Sequence, residues 1–304
     1  MKVLVTGATG FIGSALVKQL AVQGDDVSVL VRGTSDTKAL ASFLGSDRIC
    51  LYDGSLGSII AALKTAQPDL VFHVASLFLA QHKPEDVDRL IASNILFPAQ
   101  LLEAMNGLAL RRLINVGTSW QHYEDKAYSP VNLYAGTKQA FEDLLQFYAE
   151  AHNFAVITLG LFDTYGPGDA RPKLFSLLRK LARHGNTLKM SPGEQLIDLV
   201  YIDDVIDAFL IAGRRVTQIT DSERYGLSSG NPIALRELVR IYGQIVGKSL
   251  EIEWGGLPYR PRETMVPWKS YRILPGWQPK TLLEQGIAQM ERDPSIEGLL
   301  SSAQ

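Results

Sequence analysis

Along the first 160 or so residues, short apolar runs alternate with longer stretches in which apolar residues recur every three or four positions. The runs Lys2–Thr6, Val27–Val31, Arg48–Leu51, Leu70–Val74, Leu113–Val116 and Ala155–Leu159 are short and rich in branched aliphatics. Near-continuous hydrophobicity of this kind marks strands buried on both faces. Phe11–Gln23, with Ile12, Leu16 and Leu20 apolar, has helical spacing. So do Asn94–Met105 (Ile95, Leu101, Leu102, Met105) and Asn132–Ala151 (Leu133, Phe141, Leu144, Leu145, Tyr148). A further helix is expected over Ser55–Lys64. Strand and helix in alternation predict a parallel sheet covered on both faces.

From about Tyr165 the pattern changes. Gly166-Pro167-Gly168, Pro192-Gly193, Gly230-Asn231-Pro232, Gly255-Gly256 and a run of prolines from Pro258 to Pro275 break the chain into short pieces. Helices are expected over Pro172–His184, Asp203–Arg214, Ala234–Val246 and Thr281–Arg292. Asp203 and Asp204 suit the cap of the helix that follows them. Loops of this density can line a binding site.

Composition narrows the partners. Among 304 residues, 30 Lys and Arg balance 32 Asp and Glu, a formal charge of −2. A broad electrostatic grip on nucleic acid or an anionic membrane is not expected, while a local basic pocket is allowed. No run approaches the ~20 apolar residues of a membrane span. Cys50 is the single cysteine, so no intramolecular disulfide can form, which suits a reducing compartment. The segment Met1–Gly7 lacks the apolar stretch of a signal peptide, and a cytoplasmic location is expected. The histidines are scattered and have no cysteine partners, so no metal site is expected. His73, at the end of an apolar strand, reads as a core residue.

Thr6-Gly7-Ala8-Thr9-Gly10-Phe11-Ile12-Gly13 follows the first strand and opens the first helix. Glycines at 7, 10 and 13 allow a tight turn, close helix–sheet packing and backbone approach to a pyrophosphate at a helix N-terminus. Gly7, Thr9, Gly10, Phe11, Ile12 and Gly13 are therefore candidate dinucleotide contacts. An acid at the end of the second strand would bind the 2′-hydroxyl of NAD, whereas a cation accommodates a 2′-phosphate. That position holds Arg32, with no acid before Asp36. Arg32 favours NADP(H), with NAD(H) the alternative; its other reading is a solvated arginine. Asp53 reads either as an adenine contact or as a cap for the next helix.

Tyr134 and Lys138 stand four apart near a helix start, on one face. A free phenol has a pKa of about 10. A neighbouring ammonium would lower it and make the pair an acid–base device. Gly117-Thr118-Ser119, closing the fifth strand, supplies hydroxyls nearby.

These motifs resemble those of the extended short-chain dehydrogenase/reductases of the nucleotide-sugar epimerase/dehydratase group, over nearly the whole chain. TGATGFIG resembles the family's glycine motif, Pro68-Asp69-Leu70-Val71-Phe72-His73-Val74-Ala75 its fourth strand, and Asn94-Ile95 with Leu101-Leu102-Glu103-Ala104 its next helix. Tyr134-Ala135-Gly136-Thr137-Lys138 carries the catalytic pair. Tyr165-Gly166-Pro167-Gly168-Asp169, Val200–Val205, Arg260-Pro261-Arg262-Glu263 and Pro275–Pro279 extend the likeness into the second half. The resemblance implies an α/β fold. A doubly wound parallel Rossmann sheet in residues 1–165 would bind the cofactor. A smaller C-terminal α/β substrate lobe would occupy 166–304, with segments returning to the first domain near 195–215. It also implies Tyr134 as general acid/base, Lys138 on the nicotinamide ribose, Thr118 (or Ser119) on the reacting oxygen, and a nucleotide-diphosphate sugar as substrate. Arg260, and with it Arg262, would meet phosphate. Ser119, Asp163 and Lys173 join them as candidate substrate contacts. A homodimer through the helix Asn132–Ala151 is implied by analogy, since the same apolar stripe could face the sheet.

Departures from the family pattern refine the expectation. Dehydratases of the group follow the Thr with Asp-Glu; here Ser119-Trp120 follows Thr118. Asp163 stands where an Asn is common, and Ile197 where an Arg is frequent. His122 and Glu124 belong to a turn read as irregular and substrate-facing. Trp254, Trp268 and Trp277 could stack on a base or pack in the core. Gly117–Tyr123 and Pro130–Tyr134 resemble the CDP-abequose and CDP-paratose synthase-like 4-ketoreductases. Together with Arg32, this makes NADPH-dependent reduction of a nucleotide-linked 4-keto-6-deoxy sugar the leading expectation. An NAD-dependent epimerase or related dehydrogenase is the alternative, and a non-catalytic cofactor-sensing module the third.

Overall fold

Val3 and Val5 enter the core on one face of the first strand, and Leu4 enters a separate core on the other. Leu70 and Phe72 are divided from Val71 in the same way, and Ile157 and Leu159 from Val156. Strands with no wet side have no polar alternation to show, which is why they read as continuous apolar runs. The computed structural model describes residues 1–293, so positions 294–304 of the expected second lobe lie outside the described residues.

The strands are β1 (Lys2–Thr6), β2 (Asp26–Arg32), β3 (Ile49–Tyr52), β4 (Leu70–His73), β5 (Arg112–Thr118) and β6 (Ala155–Leu161). After them come β7 (Asp163–Tyr165), β8 (Leu188–Met190), β9 (Leu196–Ile197), β10 (Leu199–Tyr201), β11 (Ser222–Leu227), β12 (Ile233–Ala234) and β13 (Ile252–Trp254). Seven of them form one sheet in the order β11-β6-β5-β4-β1-β2-β3, every pairing parallel. The chain reverses its direction of winding between β1 and β4, which opens a crevice at their C-terminal ends. This is the expected doubly wound Rossmann-like sheet.

The helices are α1 (Phe11–Val22), α2 (Lys38–Ala41), α3 (Leu56–Ala66), α4 (Val87–Ile91), α5 (Phe97–Gly107), α6 (Leu133–His152), α7 (Leu174–His184), α8 (Ile202–Arg215), α9 (Leu235–Val246) and α10 (Leu283–Glu291). Leu16 and Leu20 of α1 and Val205 and Phe209 of α8 fill one core. Ile59 and Leu63 of α3, Leu101 and Met105 of α5, and Phe141 and Leu145 of α6 fill the other. The remaining strands pair two by two: β7 with β10, β9 with β12, and β8 with β13.

Two expectations need correction. The helix expected from Asn94 starts earlier, at Val87, and passes through a π-helical turn over Ala92–Leu96 before α5. α4 has only 5 residues, too short a window for apolar periodicity to mark it. Asp203 and Asp204 do not cap α8, because the helix already begins at Ile202 after Tyr201. The Asp204 carboxylate instead accepts from the N–H groups of Lys280 and Thr281, and its carbonyl accepts from Trp277 Nε1.

One row of the sheet is polar across β1, β4, β5, β6 and β11, and gives way to Leu30 on β2 and Cys50 on β3. Thr6, His73, Asn115, Thr158 and Arg224 are successive partners across β1, β4, β5, β6 and β11. The row lies on the side that α6 covers, in strict alternation with the apolar residues of the opposite face.

Candidate active site

Gly7 adopts φ +72°, and a Cβ there would stand 2.6 Å from the Ala75 nitrogen. A Cβ on Gly13 would stand 2.1 Å from the Gly7 carbonyl oxygen. These glycines press the loop against β4 and α1 against the loop, leaving a bare backbone cradle at a helix N-terminus. The cradle fits the pyrophosphate of a dinucleotide. It forms the floor of a cavity of about 840 Å³ that runs from Arg32 past Thr118, Ser119 and Tyr134 to Lys173. Gly7, Thr9, Gly10, Phe11, Ile12 and Gly13 all line it.

Four cations border this cavity: Arg32, Arg89, Arg171 and Lys173. Arg89 is paired with Asp86 (3.3 Å), Arg171 with Asp169 (2.6 Å) and Lys173 with Asp163 (3.5 Å). Arg32, at the end of β2, has no ion-pair or side-chain hydrogen-bond partner among the described residues. Asp53 does not line the cavity. Its carboxylate accepts from the Ser55 N–H (2.9 Å) and hydroxyl (2.6 Å), and these bonds depress its pKa. The cap of α3 is Ser55 itself, accepting from the Ser58 N–H at 3.2 Å.

Asn132 starts α6 by accepting from the Ala135 N–H (2.9 Å), while its own amide donates to the Leu79 and Ala80 carbonyls. This places Tyr134 and Lys138 in the first turns, both buried. Burial pushes the Tyr134 phenol up to about 12, against a hydrogen bond with Ser76 and the charge of Arg171. Burial pushes Lys138 down to about 8, opposed by the Glu142 charge. The expectation that the Lys138 ammonium lowers the phenol is not met. The cation acting on Tyr134 is Arg171, and desolvation outweighs it, so Tyr134 stays protonated at neutral pH.

Sequence reasoning missed Ser76 as a partner and took Asn94 only as part of a motif. The Ser76 hydroxyl donates to Asn94 Oδ1 (3.2 Å), which also accepts from the Leu77 N–H (2.8 Å). Asn94 Nδ2 donates to the Leu77 carbonyl (3.0 Å) and to Thr137 Oγ1 (3.0 Å), so the π-helical turn, the loop after β4 and α6 are tied together behind Tyr134. A polar residue at a buried helical position was the available signal, and π-turns recur at functional sites.

Thr118 ends β5. Its N–H donates to Gln121 Oε1 (2.9 Å), and its hydroxyl accepts from the Trp120 N–H (3.3 Å). Thr118 and Ser119 both line the cavity. A second cavity of about 460 Å³ adjoins the first and shares Phe78, Ser119, Trp120, Phe162, Asp163 and Lys173 with it. Phe78 lies edge-on to Tyr134 at 5.0 Å and 5.5 Å from the Trp120 ring. Arg260 and Ile197 line the second cavity; the Arg260 guanidinium lies 5.6 Å from the Trp120 ring and is held by Glu263 (2.7 Å). Arg262 is brought to neither cavity: it donates to the Pro130 carbonyl and the Ser129 hydroxyl, bracing the turn before α6. His122 is not substrate-facing, being buried and stacked on Trp268 at 3.9 Å, and Glu124 is exposed and paired with Lys126. Trp268 and Trp277 are buried in the core, Trp268 with one edge on the second cavity.

A cofactor cradle on a Rossmann sheet beside a buried Tyr–Lys helix defines a class, and comparison with known proteins agrees. Residues 3–227 match the NAD dependent epimerase/dehydratase family, and the chain belongs to it. It is an NAD(P)-dependent enzyme of the short-chain dehydrogenase/reductase type. It is similar to a CDP-abequose synthase of Yersinia pseudotuberculosis, with 30% identity covering 90% of this chain and 93% of the relative. It is also similar to a UDP-glucose 4-epimerase of Mycolicibacterium smegmatis, with 28% identity covering 95% and 97%. The solved UDP-glucose 4-epimerase of Thermotoga maritima shares the fold at a TM-score of 0.81 and 22% identity, covering all of both chains.

Proposed function

We propose that this enzyme reduces a nucleotide-activated 4-keto-6-deoxy sugar with NADPH. The observation that carries the proposal is the wall around Tyr134, where Phe78 and Trp120 present aromatic carbon beside the proton donor. A sugar carbon bearing only a methyl group fits against such a wall; a hydroxymethyl or carboxylate would lose hydration there and would have to turn to Lys173, 4.8 Å from the Phe78 ring, or Arg260, 5.6 Å from the Trp120 ring, for a partner. The turn after Thr118 offers no Asp-Glu pair, so 4,6-dehydration lacks its proton carriers. The CDP-abequose synthase relatives and the unpaired Arg32, suited to a 2′-phosphate, support the same choice.

When bound, the reduced nicotinamide supplies the hydride. In this proposal Gly7, Thr9, Gly10, Phe11, Ile12 and Gly13 hold the pyrophosphate and Arg32 the 2′-phosphate. Lys138 orients the nicotinamide ribose. Thr118, with Ser119 beside it, donates to the sugar oxygen that becomes negative. Tyr134, a phenol that burial holds still more firmly in its protonated form, gives that oxygen its proton. Positioned acid catalysis of this kind is worth roughly 10²–10⁴-fold. Arg260, with Asp163 and Lys173 at the junction of the cavities, receives the nucleotide diphosphate and sugar hydroxyls. Planar guanidinium suits the diphosphate. Residues 1–165 then serve the cofactor and 166–304 the substrate. Exposed Leu96 and Phe147, beside α5 and on α6, support a homodimer paired through these helices, and the lone cysteine supports a cytoplasmic setting.

The test is a panel of CDP-, dTDP-, GDP- and UDP-linked 4-keto-6-deoxy sugars, followed by NADPH absorbance. Stoichiometric NADPH oxidation with one of them is expected. Inactivity on all, with NAD retained through purification, would transfer the assignment to a nucleotide-sugar 4-epimerase, which the Mycolicibacterium relative favours.

A further inference from the structure

Behind the Tyr–Lys pair lies a polar cluster that the proposed reaction does not use. Glu142 follows Lys138 by one helical turn on α6, and only 11% of its side chain is exposed. Its Oε1 accepts from Gln121 Nε2 at 3.0 Å, and its Oε2 pairs with Arg224 on β11 at 3.3 Å. Gln121 in turn accepts the Thr118 N–H at 2.9 Å and donates to Gln139. The carboxylate comes this close to β5 because residue 117 is glycine: a Cβ there would meet Glu142 Oε1 at 2.8 Å.

We propose that Glu142 is a positioning residue: through Gln121 it fixes the strand end that carries Thr118, and its charge keeps Lys138 an ammonium. This rests on the roles given above to Thr118 and Lys138, but its cofactor arm holds for any reaction of the family.

The charges around the pair support it. Lys138 is faced by His73 from β4 and by Glu142 and Tyr134 from its own helix. Glu142 is faced by Arg224 from β11, by Gln121 from the turn after β5, and by Lys138 and Asp143 from α6. His73 is buried and held neutral by desolvation and by Lys138 itself, so it adds no repelling charge. Among the described residues Glu142 is the acid acting on Lys138; burial raises its own carboxyl, and Arg224, Gln121 and Lys138 oppose that rise. Burial depresses Lys138 to about 8, close enough to neutrality for one carboxylate to decide its state. Arg224 is bound incompletely: Nε and one terminal nitrogen are buried without partners, and the guanidinium lies 5.4 Å from the Trp268 ring. Its tie to Glu142 therefore counts heavily, because an unpaired buried charge is costly.

The test is the affinity for NADPH and for NADH, read by fluorescence from pH 6 to 10, together with turnover on the preferred substrate. Glu142→Gln should move the alkaline loss of affinity down by about half a pH unit or more and lower turnover about tenfold, since a small misplacement of reacting groups carries that penalty. Glu142→Asp keeps the charge and should keep the wild-type pH dependence. Gln121→Leu breaks the tether while leaving the Glu142–Arg224 pair, and should lower turnover with a smaller pH shift than Glu142→Gln gives. Ile59→Val removes a buried methyl group from α3, far from Glu142 in the fold, and controls for lost stability. A wild-type pH dependence in Glu142→Gln, or an equal shift in Ile59→Val, would overturn the proposal. If Glu142→Gln does not fold, an alkaline shift in Glu142→Asp as well, or unchanged turnover in Gln121→Leu, would overturn it. If no substrate is reduced but the Glu142→Gln affinity curve shifts, the reductase assignment fails and the role of Glu142 toward Lys138 stands.

Discussion

Gly13→Ala is the smallest change that should disable the cofactor site. The added Cβ would lie 2.1 Å from the Gly7 carbonyl oxygen, 2.7 Å from its carbon and 3.1 Å from the Ala8 Cα. Ordinary contact needs roughly 3.5 Å, so α1 and the loop must part by more than about 1 Å. All three obstacles are backbone, with no flexible side-chain end to swing away. Gly7 cannot retreat, because the Ala75 backbone is already within 2.6 Å of its own Cβ direction. Overpacking at such a site costs about 1–3 kcal/mol, and rigid surroundings put this case at the upper end. Separation also moves the N-terminal N–H groups of α1 away from the pyrophosphate, and NAD(P)H affinity should fall at least tenfold, about 1.4 kcal/mol. Urea unfolding followed by circular dichroism should show a lower midpoint with an unchanged slope, and a fluorescence titration should show the lost affinity. Gly57→Ala on α3, where the nearest atom is the Ser55 hydroxyl at 3.6 Å, is the matched control and should be neutral or slightly stabilising. Wild-type midpoint and affinity in Gly13→Ala would show that the loop yields and that the glycine serves only the turn.

Tyr134→Phe should lower turnover by roughly 10²–10⁴-fold while dinucleotide affinity, measured by fluorescence titration, stays within a few-fold; near-normal turnover would remove Tyr134 as proton donor. The same variant tests the pH linkage. The folded phenol titrates near 12 and the unfolded one near 10, so the folded state holds the extra proton between them and wild-type stability falls as pH rises through that window. Unfolding midpoints from pH 9 to 11.5 should therefore fall more steeply in wild type than in Tyr134→Phe. Arg32→Ser should reduce the preference for NADPH over NADH by about 10- to 100-fold, the worth of a charge-assisted phosphate contact, measured as a ratio of kcat/KM. Asn94→Ala strands the Leu77 N–H and carbonyl, while the Thr137 hydroxyl keeps its bond to the Tyr134 carbonyl, and should cost roughly 2 kcal/mol in denaturant unfolding.

The central sheet was legible because its signal is local. An apolar run such as Leu70–His73 and a helix start such as Asn132 before Leu133 are decided within a few residues, and the glycines at 7, 10 and 13 mark the cradle without help from the rest of the chain. The same holds for Tyr134 and Lys138, which helical spacing puts on one face. α4 was not legible because Val87–Ile91 is a single turn or so of 5 residues, shorter than the window in which periodicity can be read.

Residues whose roles depend on partners far along the chain were not legible. Arg260 and Arg262 are near-identical in sequence context, yet one borders the second cavity and the other braces Ser129 and Pro130. The direction of the Tyr134 shift also had to come from the packed structure: adjacency to Lys138 suggested a lowered phenol, while burial raises it. Nothing in the sequence sets Glu142 apart from other charges on its helix; β5, the turn after it and β11 give it its setting. Short-range periodicity and backbone sterics are written into the sequence, so the fold class, the glycine turn before α1 and the shared helix face of Tyr134 and Lys138 followed from it. Desolvation and long-range pairing exist only once distant strands meet, so the protonation of Tyr134, the pairing of Arg262 and the setting of Glu142 belong to the tertiary structure.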